Sequence, residues 1–217
     1  MARGSQDVLV RVLLEQHGRT YAEEAGIRLA DKPAPLFQLL VLALLLSARI
    51  RASVAVAAAR ELFAAGCRNP RAMAQASWQD RVDALGRGHY RRYDERTSTM
   101  LGDGAELLLE RWGGDLRKLR KAAGGSERKL RKYLTEVPGI GDVGADIFLR
   151  EVQTTWREVA PFFDQRARDG AKRLGLPSSP GRLAGLVAER DLARLAAALV
   201  RVALDAKAAE AVRRAAA

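Results

Sequence analysis

Val137-Pro138-Gly139-Ile140-Gly141-Asp142-Val143-Gly144-Ala145 is the stretch on which the reading of the whole chain turns. It follows Ser126-Glu127-Arg128-Lys129-Leu130-Arg131-Lys132-Tyr133-Leu134, a charged segment with apolar residues at helical spacing, so a helix capped by Ser126 and running to Val137 is expected. Pro138 stops that helix. The two glycines then make a tight turn, and a second helix resumes over about Asp142 to Gln153. In such an arrangement the turn amides and the free N–H groups of the second helix point at one spot. That spot favours a phosphate, because the N–H groups and the positive end of the helix dipole face it and glycine lets a ligand backbone come close. Such contacts grip a sugar-phosphate chain without reading bases.

Two other readings of the same residues stand beside this one. Gly139-Ile140-Gly141-Asp142-Val143-Gly144 matches the dinucleotide fingerprint GxGxxG, but that motif follows a strand and the preceding segment has no strand character. The glycines can also serve only to make a sharp αα-hairpin.

Outward from the turn, apolar positions recur at helical spacing nearly everywhere and no stretch alternates with period two, so an all-α fold is expected. Ser5 is expected to cap a first helix reaching about Ala25, with Val8, Val12 and Leu13 on its apolar stripe. Asp31-Lys32-Pro33-Ala34-Pro35 marks a boundary, after which Pro35 opens an apolar helix over Leu36–Leu46 that reads as buried core. Ser53 begins an alanine-rich helix, and Asn69-Pro70 and Ser77 open short ones. A basic helix is expected from near His89 to Trp112, with Gly102 and Gly104 as places for a kink. Past the second helix of the hairpin come a loop over 154–163, a helix over 164–174, a connector over 175–181 and two closing helices.

The 217 residues carry 37 Lys+Arg against 26 Asp+Glu, a net charge of +11 that attracts extended anions, nucleic acid first among them. The chain is rich in arginine and alanine, so coding bias is a second source of that charge. The single cysteine, Cys67, excludes an intramolecular disulfide, a four-thiolate iron–sulfur cluster and a cysteine-based zinc site. Leu36–Leu46 is shorter than the ~20 residues a membrane helix needs. The chain opens through Arg3-Gly4-Ser5 into an amphipathic pattern with no leader-like stretch, so a cytoplasmic location is expected. His17 and His89 are isolated and make no metal site.

Val137-Pro138-Gly139-Ile140-Gly141 followed by Ala145 resembles the helix-hairpin-helix of the endonuclease III-like DNA glycosylase superfamily. Leu44-Leu45-Leu46-Ser47-Ala48-Arg49 looks like that family's leucine-rich helix ending in Leu-Leu-Ser-Ala-Gln, and Phe163-Asp164 falls where the family places its catalytic aspartate. Gly88-His89-Tyr90 and Arg96-Thr97 are similar to the segment between these landmarks. The resemblance implies a two-lobed helical fold, with a barrel lobe over 34–154 and a second lobe formed by 1–33 and 155–217. It further implies a cleft between the lobes, double-stranded DNA as partner, a flipped nucleotide and hydrolysis of its glycosidic bond. A monomer without membrane association, at the nucleoid, goes with it.

On that resemblance Asp164 is the candidate catalytic carboxylate, and an N-cap role is the plain alternative for the same residue. Pro138, Gly139, Ile140, Gly141, Val143 and Gly144 are the candidate DNA-binding hairpin. Arg49 replaces the family's inserting glutamine, as a filler or phosphate contact or as a solvated charge. Val143 stands where strand-cleaving members carry a lysine, which implies a glycosylase without lyase activity unless Lys172 or another amine reaches the site. No iron–sulfur cluster or other cofactor is expected. Asp142 sets a negative charge beside the phosphate site, where it weakens binding or favours a bridging monovalent cation. Asp169 reads as a surface partner for Arg166 or Arg173, and Trp78, Trp112 and Trp156 read as packing residues. Arg87–Arg96, with Tyr90 and Tyr93, and Arg117–Lys132 are candidate linings of the DNA path or solvated faces. A non-catalytic DNA-binding protein of the same fold is the alternative function.

Overall fold

A computed structural model describes residues 3–217; Met1 and Ala2, with which the expectation about a leader begins, lie outside it. Among the described residues every regular element is helical and none is a strand, as the periodicity predicts. In chain order the helices are α1 (Arg3–His17), α2 (Tyr21–Glu24), α3 (Pro33–Ser47), α4 (Ala52–Ala64), α5 (Pro70–Gln75), α6 (Trp78–Arg87), α7 (Asp94–Trp112), α8 (Leu116–Ala123), α9 (Glu127–Thr135), α10 (Asp142–Val152), α11 (Gln165–Arg173), α12 (Pro180–Ala184), α13 (Leu192–Leu204) and α14 (Ala206–Ala215). No helix among the described residues is long and apolar enough to cross a membrane. The chain divides into two compact units, a central one over Ala22–Phe148 and a terminal one made of the residues up to Tyr21 together with Leu149–Ala217.

In the central unit α3 is buried on nearly every side, from Leu36 to Leu45, because its sequence offers no polar face apart from Gln38. It begins at Pro33 instead of Pro35, with Lys32 as the flanking residue. Asn69 and Ser77 cap α5 and α6 as expected, each accepting from a backbone amide three residues on. Asp80 completes a reciprocal box with Ser77, whose hydroxyl and amide hold the Asp80 carboxyl below the usual range. The helix expected to start near His89 starts at Asp94. The physical reason is that α6, ending at Arg87, is closed by His89, which takes φ +63° past the Gly88 cap while the Tyr90 amide reaches back to the Leu85 carbonyl, and Tyr90 buries as the closing apolar contact. Asp94 and Glu95 then open α7 at the positive end of its dipole.

No break occurs at Gly102 or Gly104, since α7 runs through both. A side chain at Gly102 would instead meet the Arg81 guanidinium at 2.7 Å. Arg81 is buried and donates to the carbonyls of Met73, Ala76 and Ser98 at 2.9, 2.6 and 3.0 Å, which ties α5, α6 and α7 together. α8 and α9 are basic outside and apolar inside, through Leu116, Leu119, Leu130 and Leu134.

In the terminal unit α13 is the central helix, packed by α11, α1 and α14. A Cβ on Gly170 would lie 1.9 Å from the Leu199 carbonyl oxygen, so α11 and α13 touch backbone to backbone and only glycine fits there. α1 ends at His17 instead of reaching Ala25, and Ser5 lies inside it instead of capping it. Its exposed C-terminal carbonyls are satisfied from far away in sequence: Arg194 donates to Gly18 O, and Arg201 donates to His17 O and Arg19 O while stacking 4.3 Å over the Tyr21 ring.

Burial, then the charge of Arg201, holds the His17 imidazole below its ordinary pKa. The unfolded chain therefore takes up this proton more readily than the folded one. Stability from this group is complete above the unfolded value of about 6.5 and is lost as pH falls through it toward the lowered folded value. His17→Gln should reduce the drop in melting midpoint between pH 7.5 and pH 5.5 relative to the native protein; an identical drop in both contradicts the assignment.

Candidate functional site

The hairpin is anchored by two apolar residues and presents its polar backbone outward. Val137 and Ile140 are buried, and the Ile140 amide closes the turn on the Val137 carbonyl at 3.0 Å. α9 stops at Thr135, two residues short of the expected end, and Ser126 caps it by accepting from Lys129 N. Gly141, Asp142 and Val143 are exposed, Val143 at 41%. Among the described residues no protein acceptor takes the amides of Gly139, Gly141, Asp142, Val143 or Gly144. Arg131 fastens α9 to α10, with its guanidinium 2.5 Å from Asp146 and 3.4 Å from the Asp142 carbonyl. The Asp142 carboxylate has no ion-pair partner among the described residues, so it competes for the same helix end that its dipole offers to an anion.

The two turn glycines differ. Gly139 sits at φ +85°, and a Cβ there would lie 2.6 Å from Leu44 Cδ1, whereas nothing lies within 4 Å of the same position on Gly141. Gly139→Ala should therefore cost about 2–3 kcal/mol in urea unfolding, and Gly141→Ala less than about 1 kcal/mol. Equal losses would contradict this division of roles.

Pro138, Gly139, Ile140 and Gly141 form one wall of a cavity of about 660 Å³. Arg49, Tyr90, Tyr93 and Arg96 face it from the end of α3 and the segment entering α7. Neither Arg49 nor Arg96 has a carboxylate partner among the described residues, so this cavity combines free guanidinium charge with unpaired amides. Gly144 is buried against Ile140 and Ser47, and Val143 does not line the cavity. Tyr90 is buried, which pushes its phenol pKa up, and Tyr93 is half-buried with Arg92 stacked 5.2 Å from its ring centroid.

The basic stretches divide into tethered and free charges. Arg87, Arg117 and Arg120 pair with Glu61, Asp115 and Asp31, while Arg91, Lys118, Lys121, Arg128, Lys129 and Lys132 are exposed. His89 is exposed and His17 half-buried. Among the described residues no group of three or more His, Cys, Asp or Glu is placed to hold a metal ion. Cys67 is buried and its thiol pKa is raised by that burial, so the donor set does not fit the cysteine cluster of the resembled family. Trp156 is fully buried, Trp112 stacks on Tyr133 at 5.4 Å, and Trp78, expected to pack, is 41% exposed with its indole N–H donating to Thr99.

In the terminal unit Asp164 occupies the N-cap of α11. Its Oδ1 accepts from the Ala167 amide at 3.0 Å, which is the cap geometry the sequence suggests. Its Oδ2 accepts from Arg150 at 2.7 Å, and the residue keeps 8% exposure. A carboxylate has about four acceptor sites, so both oxygens retain free lone pairs beyond these two bonds. Arg150 escaped the sequence reading, although an arginine closing the apolar run Ile147-Phe148-Leu149 was a signal of a buried partner. Asp169 pairs with Lys172 at 3.7 Å and accepts from Gln165, instead of from Arg166 or Arg173, although all four lie three or four residues away on the helix. Lys172 is exposed.

No family model and no curated protein matches this chain. Among solved structures it is similar to a trapped endonuclease III–DNA covalent intermediate in an estranged-adenine complex, at 15% identity and a TM-score of 0.50, over 89% of this chain and 84% of that one. The fold is that of endonuclease III. A non-covalent endonuclease III–DNA complex aligns at 16% identity and a TM-score of 0.49, over 89% of this chain and 83% of that one. An endonuclease III-like fold on a chain this divergent leaves the chemistry to be argued from its own side chains.

Proposed function

We propose that the chain is a DNA base-excision glycosylase that hydrolyses the N-glycosidic bond of a flipped, damaged or mismatched base and leaves the strand uncut. The observation that carries this reading is the Asp164 carboxylate, held by the Ala167 amide and Arg150 at the start of α11 in an endonuclease III-like fold. Loss of a base develops oxocarbenium character on the sugar. A fixed carboxylate stabilises that charge and orients or deprotonates the attacking water. A Schiff base would require an amine nucleophile, and Val143 supplies none at the head of α10.

Duplex DNA is held in this reading by the hairpin amides and by the free charges of Arg49 and Arg96. Affinity should therefore fall steeply with salt, since each neutralised phosphate steepens the logarithmic slope by about 0.9. Arg49→Ala should weaken binding and make that slope shallower, by about one unit if one phosphate contact is lost; an unchanged slope contradicts a phosphate contact. The test of the function is incubation with duplexes carrying uracil, oxidised, alkylated, mismatched or abasic positions, resolved with and without alkali. Protein-dependent breaks that need alkali on the base-containing duplexes support it, and breaks without alkali, on these or on the abasic duplex, contradict it.

The unpaired Asp142 carboxylate favours a second reading, a DNA-binding protein without chemistry. Binding across the whole series with no base release supports that reading.

A further inference from the structure

Two residues three positions apart, Arg150 near the end of α10 and Gln153 just past it, hold Asp164 and the chain leading to it. Gln153 forms a two-way clamp with Phe162, its Nε2 donating to the Phe162 carbonyl at 3.0 Å and its Oε1 accepting from the Phe162 amide at 2.9 Å. Gln153 Nε2 also donates to the Arg150 carbonyl at 2.9 Å. All these residues are buried, so the chain enters α11 in one register two residues before Asp164. Arg150 then fixes the side chain itself: its guanidinium meets Oδ2 with the two side chains only 2% and 5% exposed.

This pair is costly if its purpose is stability alone. The cap of α11 needs only Oδ1, which already accepts from Ala167. Arg150 Nε is buried with no acceptor, whereas Arg81 places its guanidinium among three backbone carbonyls. A buried ion pair about offsets its own desolvation, and an unsatisfied buried donor works against the fold. What the pair supplies is direction. With Oδ1 tied to an amide and Oδ2 to a guanidinium, the carboxylate plane cannot turn about χ2.

We infer that Arg150 is a positioning residue for the reaction, holding the Asp164 carboxylate at a fixed angle toward the sugar carbon and the attacking water. The inference rests on the glycosylase reading above. Arg150 touches neither base nor sugar; it acts through Asp164. Loss of orientation at a reacting group costs about 100-fold in rate for a displacement of about 1 Å, and it leaves phosphate gripping untouched.

The experiment is single-turnover base release on the duplex that the native protein processes best, with duplex Kd and melting midpoint measured on the same samples. Arg150→Met should lower the rate by about 100-fold with Kd within about twofold of native. Arg150→Lys, which keeps the charge and loses the planar fork, should recover part of the rate. If Arg150→Met does not fold, Arg150→Lys alone decides, with a loss of about tenfold at unchanged Kd expected. Rates at the native level in a folded Arg150 variant, while Asp164→Asn is inactive, overturn the inference and leave the glycosylase reading standing. No base release by the native protein from any duplex overturns both, and that failure is visible before any variant is made.

Discussion

Asp164→Asn is expected to remove base release almost completely, by about 100- to 10,000-fold in single-turnover rate, the range associated with a positioned acid or base. The substitution separates the two roles of the residue. Asparagine is as good an N-cap as aspartate, so its side-chain oxygen can still accept from Ala167 and open α11. It cannot stabilise a cationic sugar or take a proton from water. It also turns an amide N–H toward Arg150 where an acceptor stood, leaving a buried guanidinium without its partner. Breaking such a pair from one side costs about 3–5 kcal/mol, so the assay belongs well below the variant's melting midpoint, with duplex binding as the check that the hairpin is intact. A folded, DNA-binding variant that releases base at the native rate would remove Asp164 from the chemistry.

The second large effect concerns stability. Arg81→Met should destabilise the central unit by about 2 kcal/mol or more, because the carbonyls of Met73 and Ala76 lose their donor at about 1–3 kcal/mol each, while the Ser98 carbonyl, inside α7, keeps its helical bond. Methionine fills much of the volume, so the loss reflects hydrogen bonding more than cavity formation. Urea unfolding followed by helical circular dichroism measures it; a change below about 1 kcal/mol would mean that the carbonyls find other donors.

The parts of the fold that were legible in the sequence are those decided within a turn or two of chain. Asn69, Ser77, Ser126 and Asp164 each cap a helix by accepting from an amide three residues on, a bond that needs no tertiary partner. The hairpin was legible for the same reason, because Pro138 and Gly139 specify their backbone locally. The ends that were misplaced depend on distant groups. α1 stops at His17 because Arg194 and Arg201 satisfy its last carbonyls across about 180 residues of sequence. α7 starts late because His89, without glycine's freedom, takes a left-handed turn in which Tyr90 can bury. At the candidate site the hairpin residues, Arg49 and Asp164 were visible as types at a spacing, but the Arg150 partner was not. Its one local signal, a place at the end of the apolar run Ile147-Phe148-Leu149, points to burial but not to which carboxylate it meets.

The charge of +11 is likewise resolved residue by residue, since Arg81 and Arg150 are buried and Arg87, Arg117, Arg120 and Arg131 are tethered to carboxylates. What faces the hairpin cavity without a carboxylate partner is Arg49 and Arg96. Asp142→Asn should tighten duplex binding by removing the carboxylate that competes for the head of α10, by about three- to tenfold at low salt.

The most direct measurement is mass spectrometry of the small molecules released when the native protein is incubated with lesion-bearing duplexes, alongside gels of the same reactions. A free base appearing in step with alkali-labile sites, in strands uncut before alkali, is the predicted result. Duplex bound at the hairpin with no base released from any substrate would contradict it.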